Sequence, residues 1–508
     1  MNEEIEIAGI KVPKADWDAT PPSIQALVLV LSERLDHQSE RLSQLEEKLN
    51  KNSKNSSKPP STDGFGKTVA EKKRSKKPKN RRPSVTGSRQ VRKLQASEDC
   101  DRVEEVMPTV CAECGSALHG LDSHPHRHQV IELPPIEPMV VEYRLHQLSC
   151  EGCGHLSRAE LPIGVSASGY GERLSAIVSL LSGPYRQSYR QVCSLMADLF
   201  GVSLSRGSVG RLREEVSASV SAPVNEAKRY VQAQPVVHSD ETSMPQGNRD
   251  GRNPQGRKGW LWVLVSPLVS FFEVVFSRSQ ASAKALIGES FSGIVNSDRH
   301  SAYGWISLEN WQVCWAHLKR DLTAIAQRTG VSQEIGEALL RREGRLFRWW
   351  HRVRDGTLSR QQFMAQVEYL RRGFKAVLAE AASLPIAADE KTPLAKTVRT
   401  CRRFLKVESA LWTFVSTPGV EPTNNAAERA LRPAVIWRKT SFGTQSQKGT
   451  LFVTRMLTVT ASLKAQGRNI LDFLTQACLA ARMGQAPPSL IPQPTLTDKS
   501  LPEGDIPV

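Results

Sequence analysis

Three widely separated carboxylates in this chain of 508 residues have the types and settings of metal ligands. Asp240 ends a strand predicted in PVVHSDET, and Asp298 ends a strand predicted in GIVNSD. Two aspartates leave a two-metal site short by one ligand, and a helix starting in PTNNAAERALRP would supply Glu428. Magnesium, or manganese in its place, takes oxygen ligands, and two such ions flanking a phosphate serve phosphodiester cleavage and strand transfer.

Glu428 also has a simpler interpretation. Asn425 followed three positions later by Glu428 fits the capping box of a helix N-terminus. A glutamate that binds metal must point at the strands and not back at its own first turn, so the two interpretations compete. We expect Asn424 or Asn425 to start the helix and Glu428 to be the third carboxylate, because Asp240 and Asp298 need a partner.

The elements that must position these carboxylates follow in the order strand, strand, strand, helix, strand. WLWVLVS and FFEVVFS are predicted to form a hairpin, and SAKALIGES a helix. This is the opening order of an RNase H-like α/β fold, in which the first and fourth strands can lie side by side. We predict such a core over residues 233–320 and 417–482, with a helical insertion over 321–416. Trp349 and Trp350 of the insertion are expected to pack inside; stacking on an unpaired base is the alternative.

Two CxxC pairs, in CAEC and CEGC, predict one structural zinc ion within residues 99–162. Each pair is followed by a glycine, Gly115 or Gly154, which permits the tight bend that points backbone amides toward sulfur. Four unrelated thiols are the alternative. The predicted zinc ligands are Cys111, Cys114, Cys150 and Cys153.

A helix-turn-helix that binds DNA is predicted within residues 170–232. One helix runs from Tyr189 to Phe200 and ends at Gly201, and another opens near Ser205. Any helical hairpin with a glycine turn can share this layout. The basic residues expected to contact DNA from the second helix are Arg206, Arg211 and Arg213.

Further basic residues lie close in sequence to the carboxylates. His317 and Arg320, in CWAHLKRD, follow a short strand, and His317 is either a core histidine or a group that positions the phosphate. The Gly-rich basic segment 247–259 joins the first two strands as a hairpin loop, which we expect to contact DNA. The residues after Glu428 that suit DNA phosphates are Arg429, Arg432, Arg438 and Lys439.

The N-terminal part is predicted to be helical and then flexible. From Ile24 to Leu49 apolar residues recur in steps of four and three, so residues 22–50 are expected to form a coiled-coil helix, or else one amphipathic helix packed on its own protein. Residues 51–98 form a basic flexible linker that contacts phosphates or merely keeps the chain soluble. Residues 483–508 are expected to be a disordered tail.

A net charge of +16 indicates a polyanionic partner. Nucleic acid is favoured over a membrane, since the most apolar segment, Trp260 to Phe276, contains Pro267 and Glu273 and divides into two strands. The N-terminus lacks the pattern of a signal peptide, so we expect a cytoplasmic protein that joins the nucleoid when bound to DNA.

Several motifs together resemble a known family. HSDET, VNSDRHSAY, CWAHLKRDL and TNNAAERALRPAVIWRKTSFGTQSQKG are similar to the core motifs of the large transposase (TnpC type) of insertion sequence family sixty-six, as are the NSKNSSKPPS linker and the two CxxC pairs. The resemblance spans about Leu31 to Leu474. It implies a DDE transposase that uses Asp240, Asp298 and Glu428 with magnesium.

The resemblance further implies DNA partners, namely the terminal inverted repeats of the element and a target DNA to which the 3′ ends are joined. We also expect a homo-oligomer, at least a dimer on DNA, and accessory proteins of the same element as further partners. Two other functions fit the residues: a non-catalytic zinc-containing DNA-binding regulator, and an RNase H-like nuclease that cuts DNA without transfer.

Overall fold

The structure, a computed structural model, describes residues 4–7, 10–50 and 94–492. Most of the predicted basic linker and the last part of the predicted tail, residues 51–93 and 493–508, lie outside the described residues. Within the described ranges, no helix combines the length and the apolar character needed to cross a membrane.

The N-terminal elements are a small hairpin and a long helix. Strands β1 (Glu4–Ile7) and β2 (Ile10–Pro13) pair antiparallel, and helices α1 (Lys14–Asp18) and α2 (Pro22–Asn50) follow. The bounds of α2 match the helix predicted over residues 22–50. Its apolar residues Ile24, Leu27 and Leu31 are about half exposed. Pairing of α2 with a second copy stays a prediction.

The cysteine-containing segment has little regular structure. Its hairpin consists of β3 (Gln147–Ser149) and β4 (Leu156–Arg158), paired antiparallel, and both strands are exposed.

Four helices precede the main sheet: α3 (Glu172–Ser182), α4 (Tyr189–Phe200), α5 (Arg206–Ser219) and α6 (Ser221–Gln232). The predicted bounds of α4 and the start of α5 are confirmed. Gly201 ends α4 in the left-handed conformation, and the Ser205 hydroxyl accepts a hydrogen bond from Ser208 N at the start of α5. Val178, Met196 and Leu212 bring α3, α4 and α5 into one small core.

A five-stranded mixed sheet forms the centre of the protein. Its elements are β5 (Val236–Ser243), β6 (Trp260–Val265), β7 (Ser270–Val275), α7 (Gln280–Ile287), β8 (Ile294–Ser297) and β9 (Trp311–Val313). The spatial order is β7-β6-β5-β8-β9, with β5, β8 and β9 parallel and the hairpin strands antiparallel. Strand β6 is buried along almost its whole length, as its continuous apolar sequence requires.

Five helices lie between β9 and the last part of the core: α8 (Trp315–Ala326), α9 (Val331–Arg354), α10 (Arg360–Ser383), α11 (Pro393–Lys406) and α12 (Thr413–Ser416). Trp350 is buried, with its ring centroid 5.7 Å from that of Phe363 and 5.3 Å from that of Phe414. Trp349 is partly buried against the same core. The predicted inward packing of both tryptophans is confirmed.

Three helices complete the described chain: α13 (Asn425–Ser441), α14 (Gln447–Ala465) and α15 (Ile470–Arg482). Residues 483–492, which the sequence predicts to be disordered, instead pack on the protein. Leu490 is fully buried, and the Ser489 hydroxyl donates a hydrogen bond to the Glu226 carboxylate at 2.8 Å. Burial of Leu490 removes apolar surface from water, which composition alone did not reveal.

Candidate active site

The two aspartates approach each other because β5 and β8 are parallel neighbours. Val236 pairs with Ile294 and His238 with Asn296, so Asp240 and Asp298 both lie just beyond the last paired residues. The predicted contact of the first and fourth strands is confirmed. The prediction that β5 ends at Asp240 is wrong, because β5 continues to Ser243 through its antiparallel pairing with β6.

Helix α13 is fixed to the sheet through Asn424, which precedes its first residue. The Asn424 side chain is fully buried; its Nδ2 donates to Ser239 O at 2.7 Å, and its Oδ1 accepts from His238 Nδ1 at 3.2 Å. The Asn424 backbone amide donates to Cys314 Sγ at 3.1 Å. These bonds place the first turn of α13, which carries Glu428, beside β5.

The capping box suggested by Asn425 and Glu428 does not form. Asn424 is the N-cap residue, it makes no side-chain cap hydrogen bond, and Asn425 is an exposed first residue of the helix. Asn425 lies inside the helix, one position too late to cap it, and the side chain of Asn424 is bonded to Ser239 and His238 of β5. Glu428 is therefore not held by its own first turn.

The Glu428 carboxylate faces two basic groups on α8. Its Oε1 lies 3.5 Å from His317 Nδ1 and 3.9 Å from Arg320 Nη2. These distances allow charge interaction, but neither Glu428 Oε1 nor His317 Nδ1 has a hydrogen-bond partner among the described residues, although both atoms are buried. Buried polar atoms without partners are rare in folded proteins and call for an explanation.

The predicted carboxylates interact electrostatically, although Asp240, Asp298 and Glu428 do not each place an oxygen within 4.8 Å of the other two. Burial, followed by the negative charges of Glu241, Asp298 and Glu428, raises the pKa of Asp240 well above its ordinary value. Burial and the neighbouring guanidinium of Arg320 lower the pKa of His317, against the opposing effect of the carboxylates.

The arrangement fits a divalent cation. Several carboxylates that repel one another, together with a buried carboxylate oxygen without a hydrogen bond, form an environment that bound positive charge would stabilise. The only hydrogen bond that the Asp240 carboxylate accepts from a described residue comes from the backbone amide of Glu241, at 2.9 Å. Oxygen ligands of this kind are those that magnesium prefers.

Sequence reasoning missed a second layer on the opposite face of β5. Glu241 is buried and accepts hydrogen bonds from the Tyr303 hydroxyl at 2.6 Å and from Arg278 Nε at 2.7 Å. Burial and the charge of Asp298 raise the pKa of Glu241. The adjacent acids of HSDET were a visible signal for Glu241, and Tyr303 ends the motif VNSDRHSAY, but the sequence did not show that Tyr303 and Arg278 bond to Glu241.

Two of the arginines predicted to contact DNA are bonded within the protein. The Arg213 guanidinium stacks over Phe452, 4.0 Å from the ring centroid, and over Tyr189 at 4.9 Å. Arg438 donates to Thr242 Oγ1 at 3.0 Å and to Ser243 Oγ at 2.7 Å, which ties α13 to the end of β5. Both side chains stabilise the fold in this structure.

The other predicted DNA-contacting residues lie at the surface or close to it. Lys439, near the end of α13, is partly buried. The exposed ones are Arg206, Arg211, Arg429 and Arg432.

The hairpin loop between β5 and β6 is attached to the start of α14. Gly247 N donates to Thr444 O at 2.8 Å, and Arg249 N donates to Gln445 O at 2.9 Å. The Asp250 carboxylate accepts from Gln447 N at 2.6 Å, where a negative charge complements the helix N-terminus. These hydrogen bonds hold the loop against the residues at the start of α14.

The two CxxC pairs form matching turns. Gly115 N donates to Cys111 O and Gly154 N to Cys150 O, and each glycine has a positive φ near 70°, as predicted for a tight bend. Hydrogen bonding with Ser116 lowers the pKa of Cys114 to about 7. The four thiols are not gathered around one point, since no three of these sulfurs, all of them in the described chain, lie within 4.8 Å of one another.

Comparison with known proteins gives matches over most of the chain. Residues 170–451 match the family described as Transposase IS66 family, and residues 108–154 match the zinc-finger binding domain of transposase IS66. Residues 15–93 match a family of unknown function (DUF6444).

Two relatives from Sinorhizobium fredii (strain NBRC 101917 / NGR234) are similar to this chain over most of its length. Uncharacterized protein y4qI is 25% identical over 413 residues, covering 76% of this chain and 73% of the relative. Uncharacterized protein y4hP is 23% identical over 415 residues, covering 74% and 71%.

The match over residues 170–451 includes more than half of the chain, all five strands of the central sheet and the three carboxylates. It confirms the resemblance stated from the motifs. The chain belongs to the IS66 family of transposases and carries the zinc-finger domain of that family.

Proposed function

We propose that this protein is a DDE transposase, which cleaves DNA at the ends of an insertion sequence and joins the 3′ ends to target DNA. The observation that carries the proposal is that adjoining elements of the fold carry Asp240, Asp298 and Glu428. They come from neighbouring parallel strands and from a helix bonded to the first of them. Burial, followed by the charges of Glu241, Asp298 and Glu428, raises the pKa of Asp240.

In this proposal Asp240, Asp298 and Glu428 hold two magnesium ions, for which manganese can substitute. The bound ions would activate the attacking water or 3′-hydroxyl and stabilise the leaving oxygen. The chain supplies the carboxylate oxygens, and Asn424 sets the position of Glu428 through its bonds to Ser239 and His238.

His317 and Arg320 are proposed to bind the phosphate that reacts. Both groups face Glu428 from α8, within 4 Å, so a phosphate beside the carboxylates would be within their reach. Arg320 would balance phosphate charge, and the lowered pKa of His317 favours a neutral ring that donates one hydrogen bond.

The sheet supports assignment of the core to the RNase H-like class. Strands β5, β6 and β7 are antiparallel neighbours, and β8 and β9, which follow helix α7, are parallel to β5. Numbered in chain order within this sheet, the strands lie in the spatial order 3-2-1-4-5. This connectivity agrees with the element order from which that class was predicted. The helices α8 to α12 then form the insertion that separates Glu428 from the aspartates.

DNA is the proposed partner of several surfaces. The exposed Arg206 and Arg211 on α5, and Arg429 and Arg432 on α13, are proposed to contact phosphates. A zinc ion bound by Cys111, Cys114, Cys150 and Cys153 would order the zinc-finger domain. Self-association through α2 and accessory proteins of the same element complete the proposed assembly.

The test is an assay of labelled element-end DNA with magnesium and target DNA. We expect wild-type protein to cut and join, and Asp240→Ala, Asp298→Ala and Glu428→Gln to bind DNA normally but to form neither product. Glu309→Gln and Asp389→Ala, at exposed acids outside the site, are matched controls that should retain both products.

Three outcomes would overturn parts of the proposal. Retained products in all three site variants would remove the carboxylates from the mechanism. Cutting without joining by the wild type would indicate a nuclease, and specific DNA binding with no product would indicate a regulator.

A further inference from the structure

The side chains of Cys314, His317 and Glu428 form a group that the proposed reaction does not fully use. One metal-binding atom from each lies within 4.8 Å of the others, and this is the one such trio of Cys, His or acidic side chains in the described chain. Cys314 is buried directly before α8, His317 lies in the first turn of α8, and Glu428 lies in the first turn of α13.

We propose that Cys314, His317 and Glu428 form a second zinc site, separate from the zinc-finger domain, that takes a thiophilic divalent cation. Thiolate, imidazole and carboxylate are the three ligand types that zinc accepts, and three protein ligands leave one position open. Magnesium, by contrast, avoids sulfur. The cysteine therefore selects for zinc over magnesium.

The spacing of the ligand atoms suits the proposed ion. A tetrahedral centre with bonds of about 2.1 Å separates its ligand atoms by about 3.4 Å. His317 Nδ1 and Glu428 Oε1 are 3.5 Å apart, and both atoms are buried with no hydrogen-bond partner in the part of the chain that the structure describes. A shared ion would satisfy both atoms with little movement.

Burial raises the pKa of the Cys314 thiol to about 11, but a hydrogen-bond donor is in place to stabilise a metal-bound thiolate. The backbone amide of Asn424 donates to Cys314 Sγ at 3.1 Å, and donors of this kind stabilise a metal-bound thiolate. Binding displaces the thiol proton to solvent, so the step needs no oxidant or other reactant. Among the charged groups that face the trio, Arg320 opposes a cation, whereas Asp298 and Asp240 favour it.

Occupancy of this site would inhibit the transposase. This part rests on the proposed function, because zinc bound by Glu428 removes that carboxylate from the magnesium ligands. Free zinc would then reduce magnesium-supported cleavage, and loss of Cys314 would relieve the inhibition.

Zinc content of the full chain tests the site without any DNA. Protein equilibrated with Zn²⁺ and freed of unbound metal would be measured by mass spectrometry. We expect Cys314→Ser and His317→Ala each to bind one zinc fewer than wild type. Cys401→Ser, at another buried thiol, should bind the wild-type number. Cys111→Ser should lose the zinc-finger ion and keep the ion at Cys314, so the two sites are counted separately.

Equal zinc content in wild type, Cys314→Ser and His317→Ala would overturn the proposal. If Cys314→Ser fails to fold, His317→Ala decides. A cleavage assay with added Zn²⁺ tests the inhibitory role. The zinc concentration that halves cleavage should be at least about tenfold higher for Cys314→Ser than for wild type. An unchanged concentration would overturn the inhibitory role. A wild type that binds the extra zinc but does not cleave would contradict the proposed function and leave the zinc site standing.

Discussion

The carboxylate site and the cysteine turns are both candidate metal sites, yet they are built in opposite ways. Each cysteine turn is closed by hydrogen bonds between residues four or five positions apart, and three of the four thiols are exposed. The carboxylates are assembled from β5, β8 and α13 by sheet pairing and by the buried Asn424. Each cysteine turn forms from a short segment of sequence, whereas the carboxylate site exists only in the folded protein.

The two sites also differ in the pKa shifts of their metal-binding groups in the absence of metal. Hydrogen bonding lowers the pKa of Cys114 to about 7, so its thiolate forms readily. Burial and like charges raise the pKa of Asp240, so its carboxylate is held in an unfavourable environment. The comparison teaches that the buried site stores electrostatic repulsion that a bound cation would relieve, whereas the exposed turns do not.

Replacing Asp240 should give the largest effect on function. Asp240→Asn keeps the size of the side chain but removes a metal ligand, and we expect DNA cleavage to fall by at least about a thousandfold. The same change removes repulsion among carboxylates, so the free energy of unfolding should rise by about 0.5–2 kcal/mol in metal-free buffer. Cleavage assays and urea denaturation measure the two effects.

Asp389→Asn, at an exposed aspartate, is the matched control and should change neither quantity. A metal-free Asp240→Asn variant less stable than wild type would show that the carboxylate stabilises the fold and would break the contrast between the two sites.

The attachment of α13 should be the next most sensitive feature. Asn424→Ala removes the bonds to Ser239 and His238, leaves buried polar groups unpaired, and should lower the free energy of unfolding by about 1–3 kcal/mol. Displacement of Glu428 should lower cleavage about a hundredfold. Chemical denaturation and cleavage rates report the two losses.

Asn425→Ala is its neighbour control. Because Asn425 is exposed and makes no cap, its replacement should change the free energy of unfolding by less than about 0.5 kcal/mol. Equal losses in the two variants would restore the capping interpretation.

The pH dependence of stability should expose the stored repulsion. The folded pKa of Asp240 is raised above its ordinary value of 3.8. The unfolded chain therefore releases this proton first, and metal-free stability falls as pH rises from about 3.8 through the raised pKa. Glu241 acts in the same direction and remains in the variant. Urea denaturation across pH should show a shallower fall in Asp240→Asn than in wild type, and identical slopes would count against the repulsion.

Removing zinc should have the smallest effect on the sheet. A strong chelator should disorder residues 108–154 but change the free energy of unfolding of the core by less than about 0.5 kcal/mol. Proteolysis at the cysteine turns and thermal denaturation of the remainder measure the two regions separately. A core that unfolds together with the zinc-finger domain would show that the sites are not independent.

The difference between the two regions also explains what the sequence could predict. The cysteine turns, the bounds of α4, and the hairpin β6–β7 follow from local spacing, glycine positions and apolar runs. The neighbouring positions of Asp240 and Asp298 followed from element order, because parallel strands next to each other bring their carboxyl ends together.

What escaped prediction depends on contacts between distant segments. No local pattern shows that Asn424 bonds to β5 instead of capping α13, or that Arg438 bonds to Ser243. Arg213 was predicted to contact DNA from the second helix, and the sequence did not show that its guanidinium lies over Phe452, far along the chain. The order of residues 483–492 likewise depends on a pocket for Leu490 that the folded core supplies.

The central claim is that Asp240, Asp298 and Glu428 bind the metal ions of the reaction, and counting bound manganese tests it most directly. Electron paramagnetic resonance of the protein with element-end DNA and Mn²⁺ would give the number of ions per chain. We predict two ions in wild type and in Asp389→Asn, and fewer in Asp240→Asn and in Glu428→Gln. The same number of bound ions in all four proteins would contradict the account.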